Sequence, residues 1–129
     1  MEDILEAKKK FVFIVTHSFD NPDKVAGAMQ LATNMKLLDI ELDFFLLDKG
    51  VLLAKKGFAE TLTWQTKNQF TPVAELLRIL VEDFGVNFHI CASCVKHYDL
   101  DKVELIANSA AKPGSFLAEM LLHREGLTF

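Results

Sequence analysis

With 129 residues, half of them hydrophobic and eleven of the total phenylalanine, the chain can build one sizeable core but not two, so residues 1–129 are read as a single domain. A net charge of −4 gives no electrostatic footprint for nucleic acid, because the one basic run, Lys8 to Lys10, lies beside Glu2, Asp3 and Glu6. No apolar run approaches a membrane span, and the opening MEDILEAKKK lacks the apolar stretch of a secretory signal, so a cytoplasmic protein without a membrane partner is expected.

The first element is FVFIV at 11–15, an apolar run without alternation, as expected of a strand buried on both faces. After THSFDNP, a helix is predicted in which Val25, Ala28, Met29, Ala32 and Met35 recur at three-to-four spacing. IELDFFLL at 40–47 reads as a second strand, and its short spacing after the helix predicts a parallel βαβ unit. DKGVLLAKKG then turns at Gly50, takes about one helical turn and stops at Gly57, and residues 58–70 read as a surface loop or lid containing Trp64.

From Thr71 a second helix is predicted with Val73, Leu76, Leu77, Leu80 and Phe84 on one face and Gly85 at its end. The strand VNFHIC follows directly. Pro22, Pro72 and Pro113 each precede an apolar helical pattern, which suits the first turn of a helix, and Asn21 and Thr71 are predicted caps. Pro113 is expected to open a third long helix through Phe116, Leu117, Met120 and Leu121, carrying His123 near its carboxyl end and closed by Gly126. The final LTF fits a last short strand. Residues 99–112 fit helix and strand equally.

Strands alternating with helices predict a three-layer α/β domain with a mainly parallel sheet. In such sheets, ligands and reactive groups collect beyond the carboxyl ends of the strands. This directs attention to THSFDNP after the first strand and CASCVKHY after the third. If VNFHI is a strand, Cys91 stands at its carboxyl end and ASCVKH enters a short helix. The dipole and unpaired N–H groups of that helix would favour thiolate, with Lys96 and His97 adding positive charge. His17 and Ser18 would converge on Cys91 if the first and third strands end side by side.

Several chemistries fit this cluster. Free cysteine also packs as a small apolar residue, and Cys94 is nearer that reading than Cys91. Cys-x-x-Cys at a helix start has the spacing of a dithiol oxidoreductase, although thioredoxin-like chains carry it after an early strand. His89, Cys91, Cys94 and His97 are zinc-ligand types, but four ligands within nine residues would struggle to surround one ion tetrahedrally, so no metal is expected. A Cys-His hydrolase would need an oxyanion hole and a third group that the sequence does not display. The glycines of GVLLAKKG lack phosphate-loop or dinucleotide spacing, so no nucleotide cofactor is expected.

Together, FVFIVTHSFDNPDKVAGAMQLATNM, LDFFLLDKGVLLAKKG, VNFHICASC and the closing SFLAEMLLHREGLTF resemble, in order and spacing, the DsrE/DsrF-like family, which includes TusD-type sulfur-relay subunits and YchN-like proteins. The resemblance implies a three-layer α/β/α sandwich with a five-stranded, mainly parallel sheet, a homo-oligomer such as a trimer or hexamer, and a sulfur-carrying cysteine at the position of Cys91. The implied partners are sulfur donor and acceptor proteins, and the implied reaction is sulfane-sulfur transfer through a Cys91 persulfide. Cys94 is extra relative to the family's pattern and would be a second catalytic thiol that resolves a Cys91 persulfide as a disulfide, releasing sulfide, with Lys96, His97, His17, Ser18 and Trp64 in support. Lys96 and His97 stand where many relay members carry an arginine-rich turn. A CxxC dithiol oxidoreductase and a non-catalytic oligomeric module are the alternatives.

Overall fold

The computed structural model describes residues 9–62 and 71–129. Five strands, β1 (Phe11–Val15), β2 (Leu42–Leu46), β3 (Phe88–Cys91), β4 (Ser109–Lys112) and β5 (Glu125–Thr128), form one sheet in the order β4-β3-β2-β1-β5. All four neighbouring pairs are parallel. The helices are α1 (Pro22–Leu37), α2 (Val73–Arg78), α3 (Ala92–His97) and α4 (Gly114–Met120).

From β1 to β4 the chain steps one strand at a time in one direction, and the last connection then returns across the sheet to place β5 outside β1. Right-handed crossovers require the helix to change face when the direction of stepping reverses. The burial pattern follows that rule. Phe13, Val15, Phe44, Leu46, Phe88 and Ile90 enter the larger apolar cluster with residues of α1, α2 and α3. Val12, Ile14 and Phe45 enter a smaller one with Met120, flanked by Phe116 and Leu117 of α4. Adjacent Phe44 and Phe45 are both fully buried because successive strand residues point to opposite, covered faces.

Helix α1 presents the predicted face, with Val25, Ala28, Met29 and Ala32 fully buried and Met35 half-buried. Pro22 occupies its first turn, and the Asn21 side-chain oxygen accepts the Lys24 N–H at 3.3 Å. Asn21→Ala is therefore expected to lower stability by about 1 kcal/mol, read as a melting point a few degrees lower; an unchanged melting point would show that the cap contributes nothing.

The second predicted helix begins later than expected. Pro72, not Thr71, is its cap, and α2 widens into a π turn over Ile79–Asp83 before Gly85 reverses it at φ 63°. Helix α4 is seven residues rather than a long helix, and Pro113 precedes it as its cap. The chain turns after Met120, so His123 lies outside the helix and Gly126 lies within β5. Residues 99–112 resolve into a short 3-10 turn at Leu100–Lys102, a single bridge from Leu105 to Lys55, and β4. Trp64 lies outside the described residues.

Candidate functional site

The carboxyl ends of β1, β2 and β3 and the start of α3 surround an open pocket of about 690 Å³. Its walls come from three loops: Thr16, His17 and Asp20 after β1, Asp48 and Lys49 after β2, and Ser93, Cys94, His97 and Tyr98 on or beside α3.

The first two loops are clasped together. Leu47 N–H donates to the Val15 carbonyl at 3.0 Å, prolonging the β1–β2 ladder, and Gly50 N–H donates back to Leu47 at 2.8 Å. The Ser18 hydroxyl, fully buried, donates to the Lys49 carbonyl at 2.7 Å. Ser18 thus secures the pocket wall and does not converge on Cys91. The first loop is further fixed by Asp20, whose carboxylate accepts the Ser18 N–H at 2.9 Å and lies 2.7 Å from His17 Nδ1.

These two contacts, the histidine first and the backbone N–H second, hold the Asp20 carboxyl at about 2, below its ordinary 3.8. Because the folded value is the lower one, the stabilisation is complete above about pH 4 and is lost as pH falls through about 2. The Asp20 side chain is 24 % exposed, and solvent screening limits its contribution to about 1 kcal/mol. Asp20→Asn should therefore show that deficit in urea unfolding at pH 6 and a vanishing one near pH 2. A deficit independent of pH would show that the carboxylate charge plays no part.

Cys91 ends β3, registered against Lys112 of β4, and is the cap residue of α3; it is half-buried and packs against both apolar clusters. It does not line the pocket. Cys94 does, one turn into α3, and its Sγ accepts the Asp48 N–H at 3.3 Å. Burial, then a hydrogen bond with the Cys91 thiol, push the Cys94 thiol above its ordinary value, and the Asp48 N–H only partly offsets them. Both cysteines are free thiols.

The expected convergence of His17 on Cys91 fails because β2 lies between β1 and β3. The crevice that His17 reaches is shared with Cys94 and with His97, whose ring meets Tyr98 edge-on at 4.8 Å. Lys96 is exposed on α3 and outside the pocket walls. His89 points to the other face of the sheet, where Nε2 lies 2.8 Å from Asp43 and the ring lies 4.7 Å from that of Phe116. The four zinc-ligand types around Cys91 are therefore dispersed, and among the described residues no three His, Cys, Asp or Glu side chains are grouped to hold an ion. No helix among those residues is long and apolar enough to cross a membrane.

Thr16, Asp20, Asp48, Lys49, Ser93 and Tyr98 are pocket residues that the sequence reading did not single out. The available signal was the rule that drew attention to THSFDNP: DKG follows β2 directly, so it too lies at a strand's carboxyl end.

Comparison with known proteins agrees with this architecture. YchN of Escherichia coli superimposes with a TM-score of 0.76, covering 94 % of this chain and 99 % of that one at 19 % identity, which is a likeness of fold. The uncharacterized protein MJ0989 of Methanocaldococcus jannaschii is 30 % identical over 97 residues, covering 75 % of this chain and 78 % of that protein. The DsrE/DsrF-like family model matches residues 9–129, every strand and helix described above included, and the chain belongs to the DsrE/DsrF-like family.

Proposed function

We propose that the chain is a sulfur carrier in which Cys91 accepts sulfane sulfur from a donor persulfide and passes it to the thiol of an acceptor protein. The observation that carries this reading is a free, half-buried cysteine at the carboxyl end of β3 in a chain of a family generally concerned with sulfur relay. A thiol at that edge of a parallel sheet stands where the fold exposes reactive groups. The Cys91 thiolate attacks the outer sulfur of the donor, the donor thiol leaves, and the acceptor thiolate later attacks the outer sulfur of the Cys91 persulfide.

The active form is a homo-oligomer. In support, the smaller apolar cluster is covered by one seven-residue helix, and Leu121 and Leu122 beside it are 45 % and 78 % exposed. A second reading, reversible oxidation of Cys91 and Cys94 to a disulfide, is favoured by the two free thiols lying close enough to interact.

The test is to treat reduced protein with a desulfurase-generated persulfide and to measure intact mass for wild type, Cys91→Ala and Cys94→Ala. The carrier reading expects a gain of one sulfur that the persulfide donor protein cannot deliver to Cys91→Ala. Loss of two hydrogens with no sulfur gained, seen only when both cysteines are present, supports the dithiol reading instead.

A further inference from the structure

The pocket contains a thiol that carriage by Cys91 leaves without a task. Cys94, not Cys91, lines the pocket, and the volume of about 690 Å³ is that of a small-molecule site. The hydroxyls of Ser93 and Tyr98 and the Lys49 ammonium, set among the Asp20 and Asp48 carboxylates, suit a small polar guest.

A carboxylate-oriented imidazole opens onto the same pocket. Asp20 is ionised at neutral pH and can only accept, so His17 Nδ1 carries the proton of their 2.7 Å contact. In its neutral form the ring then presents Nε2 as a lone pair, and among the described residues Nε2 has no hydrogen-bond partner. Asp20 is itself fixed by the Ser18 N–H, and that loop is clasped to the Asp48–Lys49 loop, whose Asp48 N–H donates to Cys94 Sγ. One rigid hydrogen-bonded frame therefore holds a base and a thiol in a common crevice.

We infer that Cys94 is the first acceptor for low-molecular-weight persulfides and polysulfides, with His17 as its general base and Asp20 as the residue positioning that base. This rests on the reading of Cys91 as carrier and adds a small-molecule source of sulfur to it. Burial raises the Cys94 pKa and makes the base necessary, since little thiolate forms unaided at neutral pH.

The chemistry balances without an external oxidant or reductant. His17 Nε2 takes the Cys94 proton, and the thiolate attacks the outer sulfur of R–S–SH, where R is an organic group or a sulfur chain. The new Cys94 S–S bond forms as the donor S–S bond breaks. R–S⁻ leaves and takes the proton back from His17, giving a Cys94 persulfide and R–SH. Cys91, which interacts with Cys94, then attacks the outer sulfur in turn, receives it, and returns its own proton to Cys94.

Two single-thiol proteins test this. Cys91→Ala retains only Cys94 and Cys94→Ala only Cys91; each is treated with sodium tetrasulfide, and sulfur uptake is followed by intact mass from pH 6 to 10. Cys91→Ala is expected to load rapidly at neutral pH. Adding His17→Gln should slow it by about a hundredfold and Asp20→Asn by about tenfold, with both deficits shrinking toward pH 10 as the thiol ionises unaided.

A merely structural role would leave a deficit at every pH. Asp48, Lys49, His97, Tyr98 and the residue at 91 also face Cys94, and they are common to all the proteins compared in the Cys91→Ala background. Rates for His17→Gln equal to its parent at every pH would overturn the inference. So would a Cys91→Ala protein that stays unloaded while Cys94→Ala loads as fast as wild type, although carriage by Cys91 would then stand. If Cys91 takes sulfur from neither tetrasulfide nor a donor protein, the carrier reading itself fails.

Discussion

Replacing Cys91 by alanine is expected to abolish delivery of sulfur to an acceptor protein's thiol, lowering the rate at least about a thousandfold, because the atom that forms the transferable S–S bond is gone. The fold should survive. Cys91 makes no side-chain capping bond to α3, its backbone pairing with Lys112 does not involve the sulfur, and the loss of one half-buried sulfur costs about 1 kcal/mol. Delivery is measured by loading the protein with labelled sulfane sulfur and following its appearance on a thiol acceptor, with a thermal melt alongside. The variant should lose delivery even where Cys94 still takes sulfur from tetrasulfide, since the two thiols are assigned successive tasks. Cys91→Ser should behave alike, because a hydroxyl of similar size cannot hold sulfane sulfur. Wild-type delivery from either variant would move the carrier role away from Cys91.

What the sequence revealed about the fold follows from how strongly each segment is constrained locally. FVFIV and LDFFL read as strands because a parallel sheet covered on both faces needs no polar alternation, and all but the partly exposed Phe11 and Asp43 are buried. Helix α1 was legible because its period, its proline and its Asn21 cap all agree. Helix α4 misled because Phe116, Leu117, Met120 and Leu121 keep helical spacing beyond the point where the chain must turn. Arg124 reaches the Phe11 carbonyl at 3.0 Å and Glu41 at 2.9 Å, and Glu125 N–H joins Lys10 at 2.8 Å to start β5. Those are tertiary contacts with residues more than eighty positions away, and no local pattern encodes them.

The site divides in the same manner. A thiol at the carboxyl end of β3 was evident from the sequence, because strand ends are visible as the close of an apolar run. Which cysteine faces the pocket depends on strand order and on one turn of α3, and neither is written locally. With β2 between β1 and β3, the His17 loop meets α3 across the Asp48–Lys49 loop, so its thiol is Cys94. His89, two residues before Cys91 and so of the same strand parity, lies by the smaller cluster, where Asp43 and Phe116 occupy it.

Gly50→Ala is expected to be the most damaging substitution for stability, at about 3 kcal/mol or more, seen as a melting point lower by roughly 10 °C. A Cβ built at Gly50 would lie 2.1 Å from the Val15 carbonyl oxygen and 2.9 Å from its carbon. Both are backbone atoms, so no side-chain rotation relieves the overlap. Nor can the carbonyl withdraw freely, since it accepts the Leu47 N–H at 3.0 Å. The loop after β2 must therefore move away from β1, and the Ser18 bond to Lys49 and the Asp48 N–H on Cys94 move with it. The same substitution should thus slow sulfur uptake by Cys94 in whatever fraction still folds. Gly27→Ala supplies the contrast: Gly27 is exposed in α1 with nothing within 4 Å of its Cβ position, and alanine there should raise stability by up to about 1 kcal/mol. Equal melting points for Gly50→Ala and wild type would mean that the two loops are not clasped as described, and the pocket they form would have to be redrawn.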